Sequence, residues 1–340
     1  MGILHPHEFA PPAGAATTVA PSLLWMRLPL PMALDHVNVY ALDDGDGWTI
    51  IDTGMNSRKS REIWHGLLAG PLAGKPVSRV IVTHHHPDHV GLAGWFQEQG
   101  AELWMTRTAW LLARMLTLDE QSHPSPQAMQ FFQRAGLGPA ELDRKRGERP
   151  FNFCDIVAPM PPGFHQLTEG QVISMGGRDW IVRLGSGHAP DHATFWSGDL
   201  VIGGDQLLPG ISANIGVYPT EPEADPLQDW LDSCRKFQRL ATNDQLILPG
   251  HKLPFQGLPW RLTQMIDNHI GALDRLLQHL ATPRRAVDCF VPLFKRDIGP
   301  PDFELALAET VAHLNHLLRH ARVSRHLSDQ GVWIWQANRE

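Results

Sequence analysis

The chain has 340 residues, 43% of them hydrophobic and only 19% charged, with a formal net charge of −7 at pH 7. That length suits one large domain plus a smaller one, with a sizeable core, and the acidic balance gives no electrostatic reason to bind nucleic acid or an anionic membrane. No window approaches the roughly 20 apolar residues of a membrane span, and Cys154, Cys234 and Cys289 are too scattered for a disulfide framework, so a soluble cytoplasmic protein is expected.

Residues 1–22 are rich in Pro and Ala, with neither a basic start nor a continuous apolar stretch. They read as a flexible arm rather than a secretory signal. Strand-like runs follow at Leu23 to Leu30, Val37 to Leu42 and Trp48 to Asp52, separated by Gly and Asp as hairpins require. The spacing predicts a helix from Ser57 to Leu68, capped by Ser57 and ended by Gly70 and Pro71. A short buried strand, Val80 to Val82, runs into Thr83-His84-His85-His86-Pro87-Asp88-His89. A second helix is expected over Asp88 to Gln99 and a strand over Glu102 to Met105.

From about residue 107 to 162 the pattern changes to helix-like stretches among Pro and Gly, an insertion placed either as a lid or as plain embellishment. Its Trp110, Met115, Met129, Phe131 and Phe132 would wall a pocket or simply pack a core. Strands resume at Gln171 to Met175, Trp180 to Leu184, Thr194 to Ser197 and Leu200 to Ile202. An amphipathic helix over Asp225 to Leu240 puts Leu227, Trp230, Leu231, Cys234 and Phe237 on one side. Leu246 to Leu248 is a last strand. The main domain is thus read as 23–260. Residues 261–340 form a separate C-terminal domain: helices at Leu262 to Leu280 and Pro301 to His320, then a hairpin around Ser328 to Gly331. That order suggests a winged-helix-like module. Its acidic residues match its basic ones in number, so packing or homodimerisation is favoured over reading DNA.

The chemistry concentrates where strands end. His84 and His86 stand two apart on an extended chain, so they point the same way. Pro87 discourages helix before it, and Asp88 and His89 open the next helix. Imidazoles with carboxylate suit zinc and similar divalent metals. Further candidates follow other strand-like segments: His188 in Gly187-His188, Asp205 in Gly204-Asp205 and His251 in Gly250-His251. The neighbouring glycines allow close backbone approach.

The ordered set HxHxDH, GH, GD and PGH resembles the metallo-β-lactamase superfamily, as does Ile51-Asp52-Thr53-Gly54, over about Leu23 to Pro259. The resemblance implies an α/β fold, an αββα sandwich. It implies that His84, His86 and His188 bind one metal, that Asp88, His89 and His251 bind a second, and that Asp205 bridges them. Asp52 then orients the ligand loops, and His85 and His192 are bystanders. The implied cofactors are two zinc ions, with iron or manganese as the other metals the donors accept. The implied mechanism is binuclear hydrolysis by a metal-bridging hydroxide, with Asp88 and Asp205 as catalytic residues. Aspartate rather than cysteine at the bridging position resembles the glyoxalase II-like thioesterases and the lactonases. Leu208 stands where lactonases often carry Tyr, which weakens the lactonase reading. The expected substrate is a small acyl ester, thioester or lactone. Ser212, Asn214 and Tyr218 form a loop read as substrate-facing or as ordinary capping. A nuclease or phosphodiesterase, and a mono-iron dioxygenase, use the same scaffold and are the alternatives.

Overall fold

The computed structural model describes residues 2–338, and the chain divides into two compact units. The first takes the residues up to Glu120, then Asn152–Ala213 and Leu240–Arg261; the second takes Gln121–Phe151, Asn214–Arg239 and the chain from Leu262 onward.

The first unit holds two mixed sheets. The larger runs in the order β1 (Thr17–Ala20), β2 (Leu23–Pro29), β3 (His36–Asp43), β4 (Trp48–Ile51), β5 (Val77–Ile81), β6 (Glu102–Thr106), β7 (His165–Leu167). It is antiparallel through β4 and parallel from β4 onward. The smaller comprises β8 (Val172–Met175), β9 (Arg178–Gly185), β10 (His192–Ser197), β11 (Leu200–Gly204) and β12 (Leu246–Pro249), with only β11 and β12 parallel. The helices α1 (Arg58–Ala69), α2 (Pro87–Val90), α3 (Ala93–Glu98) and α4 (Arg107–Leu118) belong to this unit.

The period-2 pattern of β3 shows how the layers form. Val37, Val39 and Ala41 join a core with Trp64, Leu67, Phe96 and Ala109, from the helices. Tyr40 and Leu42 point the other way, into a core with Trp180, Phe195 and Ile202 of the smaller sheet. The larger sheet is therefore buried on both faces, with helices on one and the second sheet on the other. This is the α/β sandwich expected.

Ser57 caps α1 by accepting from the Ser60 amide at 3.0 Å. The helix expected over Asp88 to Gln99 is instead two short ones, α2 and α3, interrupted at Gly91 and Leu92. A side chain at Gly91 would place its Cβ 2.5 Å from the Gly54 carbonyl oxygen, so the chain turns where backbone packs on backbone. Strands β1 and β7 carried no recognised pattern. The N-terminal segment also makes backbone pairs: Leu4 donates to the Gln256 carbonyl at 3.1 Å, and Gln256 to that of Leu4 at 2.8 Å.

The second unit contains α5 (Pro126–Ala135), α6 (Pro139–Gly147), α7 (Pro226–Gln238), most of α8 (Leu258–His279), α9 (Phe290–Phe294), α10 (Phe303–Arg319) and a hairpin of β13 (Val323–Leu327) and β14 (Trp333–Ala337). Leu227, Trp230, Leu231, Cys234 and Phe237 form the buried face of α7, as their spacing predicts. α10 is buried continuously from Thr310 to Leu317. The three thiols are free. Among the described residues no helix is long and apolar enough to cross a membrane.

Candidate metal centre

The ends of β4, β5, β9, β11 and β12 lead into the loops that carry the polar cluster. At the end of β4, Asp52 takes a left-handed conformation, φ 60°, which Asp tolerates better than most side chains. Its Oδ1 accepts from the Thr83 amide at 2.8 Å, and its Oδ2 accepts from the Thr83 hydroxyl and from His89 Nδ1, both at 2.8 Å. Having given its proton to Asp52, the Thr83 hydroxyl can only accept from His84 Nδ1, 3.0 Å away. Asp52 thus sets two tautomers at once, leaving the Nε2 lone pairs of His84 and His89 facing the cluster. His251 is fixed the same way, its Nδ1 donating to the His36 carbonyl at 2.8 Å.

The freed nitrogens converge. His86 Nδ1 lies 3.0 Å from His84 Nε2 and 3.0 Å from His188 Nε2. Asp88 Oδ2 lies 3.5 Å from His89 Nε2 and 3.4 Å from His251 Nε2. Asp205 spans both groups: Oδ1 is 3.4 Å from His89 Nε2, and Oδ2 is 3.1 Å from His251 Nε2 and 3.5 Å from His188 Nε2. His84–His86–His188 and Asp88–His89–His251 each bring three donor atoms within 4.8 Å of one another. All seven residues proposed from sequence therefore meet in one place.

Burial and charge shape their protonation. His84 and His86 are held neutral well below the usual imidazole range, first by burial and then by neighbouring imidazoles. Burial pulls His89 and His251 the same way. The carboxylates Asp205 and Asp88, with Asp52 added for His89, outweigh it, lifting His89 well up and His251 to about 10. Burial would raise Asp205, yet His251 and His89 drive it well below the ordinary carboxylate value. Two atoms expose what this arrangement lacks. His89 Nε2 and Asp205 Oδ1 are buried with no hydrogen-bond partner, a costly condition that a divalent cation between the two residues relieves. The donor set of imidazole and carboxylate is that of zinc and its neighbours.

Glycine is required beside these groups. A Cβ at Gly250 would lie 2.2 Å from Asp205 Oδ1, and one at Gly204 2.6 Å from the His192 ring.

His85 and His192 stand outside the clusters. His85 stacks on Phe153 with ring centroids 6.4 Å apart. His192 stacks on His84 at 4.5 Å and accepts the Asp205 amide at 3.1 Å, so it braces a cluster residue. Asn38 escaped the sequence reading. It is buried in β3 and ties that strand to the loop of His251: its Nδ2 donates to the carbonyls of Pro249 and Lys252, both at 2.8 Å, while its Oδ1 accepts from Trp25 and Arg27, both at 2.9 Å. Its signal was a lone amide in an otherwise apolar buried strand.

The aromatic residues of the insertion are divided between the two units. Trp110 stacks on Phe164 at 4.7 Å beside the helical-face core, whereas Phe131 and Phe132 belong to the second unit, where Lys145 sits over the Phe132 ring. Asn214 and Tyr218 also lie in the second unit, the Tyr218 hydroxyl donating to Asn214 Oδ1 at 3.3 Å.

Comparison with known proteins agrees with this geometry. The family model described as "Metallo-beta-lactamase superfamily" matches residues 32–251, and that described as "Metallo-beta-lactamase-like, C-terminal domain" matches residues 273–338. The chain is 27% identical over 321 residues to the "Probable metallo-hydrolase YqjP" of Bacillus subtilis (strain 168), covering 91% of this chain and 96% of that protein. Among solved structures, a beta-lactamase domain protein from Burkholderia ambifaria is 35% identical with a TM-score of 0.91, covering 99% of this chain and 98% of that one. A metallo-beta-lactamase family protein from Thermus thermophilus is 25% identical with a TM-score of 0.79, covering 94% of this chain and all of its own.

Proposed function

Because the chain belongs to the metallo-beta-lactamase superfamily and is a metal-dependent hydrolase, we propose that it holds two divalent ions, zinc in the first instance, and cleaves a small ester, thioester or lactone. The observation that carries this reading is Asp205, whose two carboxylate oxygens face His89 on one side and His188 and His251 on the other. One set of ligands is His84, His86 and His188, the other Asp88, His89 and His251, with Asp205 shared.

Bound ions of this kind activate water and polarise the substrate oxygen. The residues do the rest. Asp52 and the His36 carbonyl lock imidazole tautomers so that Nε2 lone pairs face the site. Asp88, whose Oδ2 points at the same space and is less buried than Asp205, takes the proton released by the attacking water. This last role falls if Asp88→Asn keeps its metals and its full turnover rate.

An acyl substrate is favoured over nucleic acid by the charges of the second unit. Arg325 lies over the Trp333 and Trp335 rings and pairs with Glu223 at 3.1 Å; Arg319 donates to the Glu223 carbonyl at 2.7 Å. Arg285 pairs with Asp288 and Arg296 with Asp302. These cations are engaged within the fold, where a phosphate-binding face needs them free. We read the winged-helix-like module of α8, α10 and the hairpin as a packing or dimerisation element.

The test is a hydrolysis screen of the zinc-reconstituted chain against thioesters, lactones, phosphodiesters and β-lactams, with metal content measured on the same sample. Turnover of an acyl ester by protein holding two ions in the cluster around Asp205 is expected. Turnover of phosphodiesters alone, or inert protein that binds a single iron and consumes oxygen, overturns the proposal.

A further inference from the structure

We propose that the second unit carries a divalent-metal site of its own, in which His269, His313 and Glu309 bind a zinc-class ion. It shares no residue with the cluster around Asp205.

The three side chains come from two helices. His269 lies on α8, and Glu309 and His313 lie one turn apart on α10, spacing that puts them on one face. Their donor atoms all fall within 4.8 Å of one another. His269 Nδ1 is 3.1 Å from His313 Nε2, nearly the 3.0 Å separating the ring nitrogens of His84, His86 and His188.

The surroundings are those of ligands. His313 Nδ1 lies 2.8 Å from the Glu309 carbonyl, and an oxygen acceptor demands a proton there, so Nε2 carries the lone pair. A histidine that gives its far N–H to a backbone carbonyl is oriented as metal-bound histidines are. The carboxylate is supported too: Asn214 Nδ2 donates to Glu309 Oε2 at 3.0 Å, and the Tyr218 hydroxyl donates to Asn214 in turn. Burial keeps both imidazoles neutral, His269 at about 3 and His313 at about 4, and lifts the Glu309 carboxyl to about 7, so that an ion bound here displaces its proton.

A bare hydrogen bond from His269 to His313 would account for the 3.1 Å contact alone. It gives no account of a Glu309 carboxyl oxygen within 4.8 Å of both nitrogens, on a side chain held by Asn214. Two imidazoles and a carboxylate are three protein ligands with a fourth position left for water.

The experiment is zinc binding by the full chain. Protein stripped with chelator is dialysed against buffered zinc, and bound ion is counted in the wild type and in H269Q/H313Q. The wild type is expected to hold one more ion per chain. Equal stoichiometry at every free zinc concentration overturns the proposal. Should the double variant fail to fold, as judged by near-UV circular dichroism, E309Q serves instead. Its second-unit ion is expected to bind at least roughly tenfold more weakly, and an unchanged binding isotherm overturns the proposal equally.

Discussion

Both units bury a histidine cluster, and the two differ in the carboxylates that face it. Around Asp205, His89 and His251 are pushed up because Asp205 and Asp88 outweigh the cost of burial. In the second unit His269 is driven down to about 3 by burial and then by His313 and His316, while burial lifts the neighbouring Glu309 carboxyl to about 7. His89 and His251 are thus charged, whereas His269 and His313, buried much alike, are neutral. Without a cation, His89 and His251 hold protons that balance the acids of the first cluster; in the second the imidazoles are neutral, and the carboxyl that burial raises to about 7 is Glu309. Ion uptake should therefore displace protons from the first cluster and nearly none from the imidazoles of the second.

The largest effect should come from removing the carboxylate that sets the first cluster apart. Asp205→Ala is expected to lose at least one bound ion per chain and to lower kcat/KM by roughly 10³-fold or more, since a bound ion supplies several kcal/mol of transition-state stabilisation at about 1.4 kcal/mol per tenfold. Metal analysis and steady-state kinetics on a substrate from the screen check it; unchanged values on both would leave Asp205 without its bridging role.

Asp52→Asn sharpens the contrast, because Asn accepts the left-handed backbone that Asp52 adopts and changes only its hydrogen bonding. An amide oxygen cannot replace a carboxylate accepting from the Thr83 amide, the Thr83 hydroxyl and His89. Metal affinity of the first cluster is expected to drop roughly 10- to 100-fold, measured by chelator competition, while ion binding at His269 and His313 stays as it was. A parallel loss at both clusters would contradict this.

How far these clusters could be read from sequence depends on how local they are. His84 to His89 are nearly contiguous, and His188, Asp205 and His251 each follow a strand beside a glycine, so the first cluster was legible in linear order. The sandwich was legible through the family resemblance that the order of those motifs carries. The brace behind the site was not: the His36 carbonyl is backbone, and Asn38 sits 211 residues from the Pro249 carbonyl it holds. The break between α2 and α3 depends on Gly54 approaching Gly91, a tertiary contact. His269 and His313 are 44 residues apart on separate helices, and one Glu–His pair at helical spacing does not stand out among 19 histidines.

Asn38→Ala tests the brace. It leaves the Trp25 indole N–H and Arg27 Nε without their shared acceptor and removes both carbonyl contacts near His251, at a cost of about 2 kcal/mol. Chemical denaturation should register that loss, and zinc affinity should weaken less than in Asp52→Asn. An affinity loss exceeding that of Asp52→Asn would place Asn38, not Asp52, as the main organiser.

The smallest effect concerns an acid of the second unit that serves helix structure. Asp225 caps α7 by accepting the Gln228 amide at 3.1 Å and lies 3.1 Å from His316 Nδ1. Burial alone would raise its pKa, but the bonds from His316 and Gln228 lower it. A folded value below the unfolded one means that the carboxylate stabilises the fold above the unfolded pKa of 3.8, and that this stabilisation fades as pH falls through the folded value. Asp225→Ala should cost about 1 kcal/mol near neutral pH through the lost cap. Asp225→Asn, which still caps, should cost less, and thermal melts of Asn variant and wild type should converge as the pH is taken below about 4. A difference that persists or widens there would mean that the carboxylate charge at this position contributes nothing, and that the α7 cap alone stabilises this part of the unit.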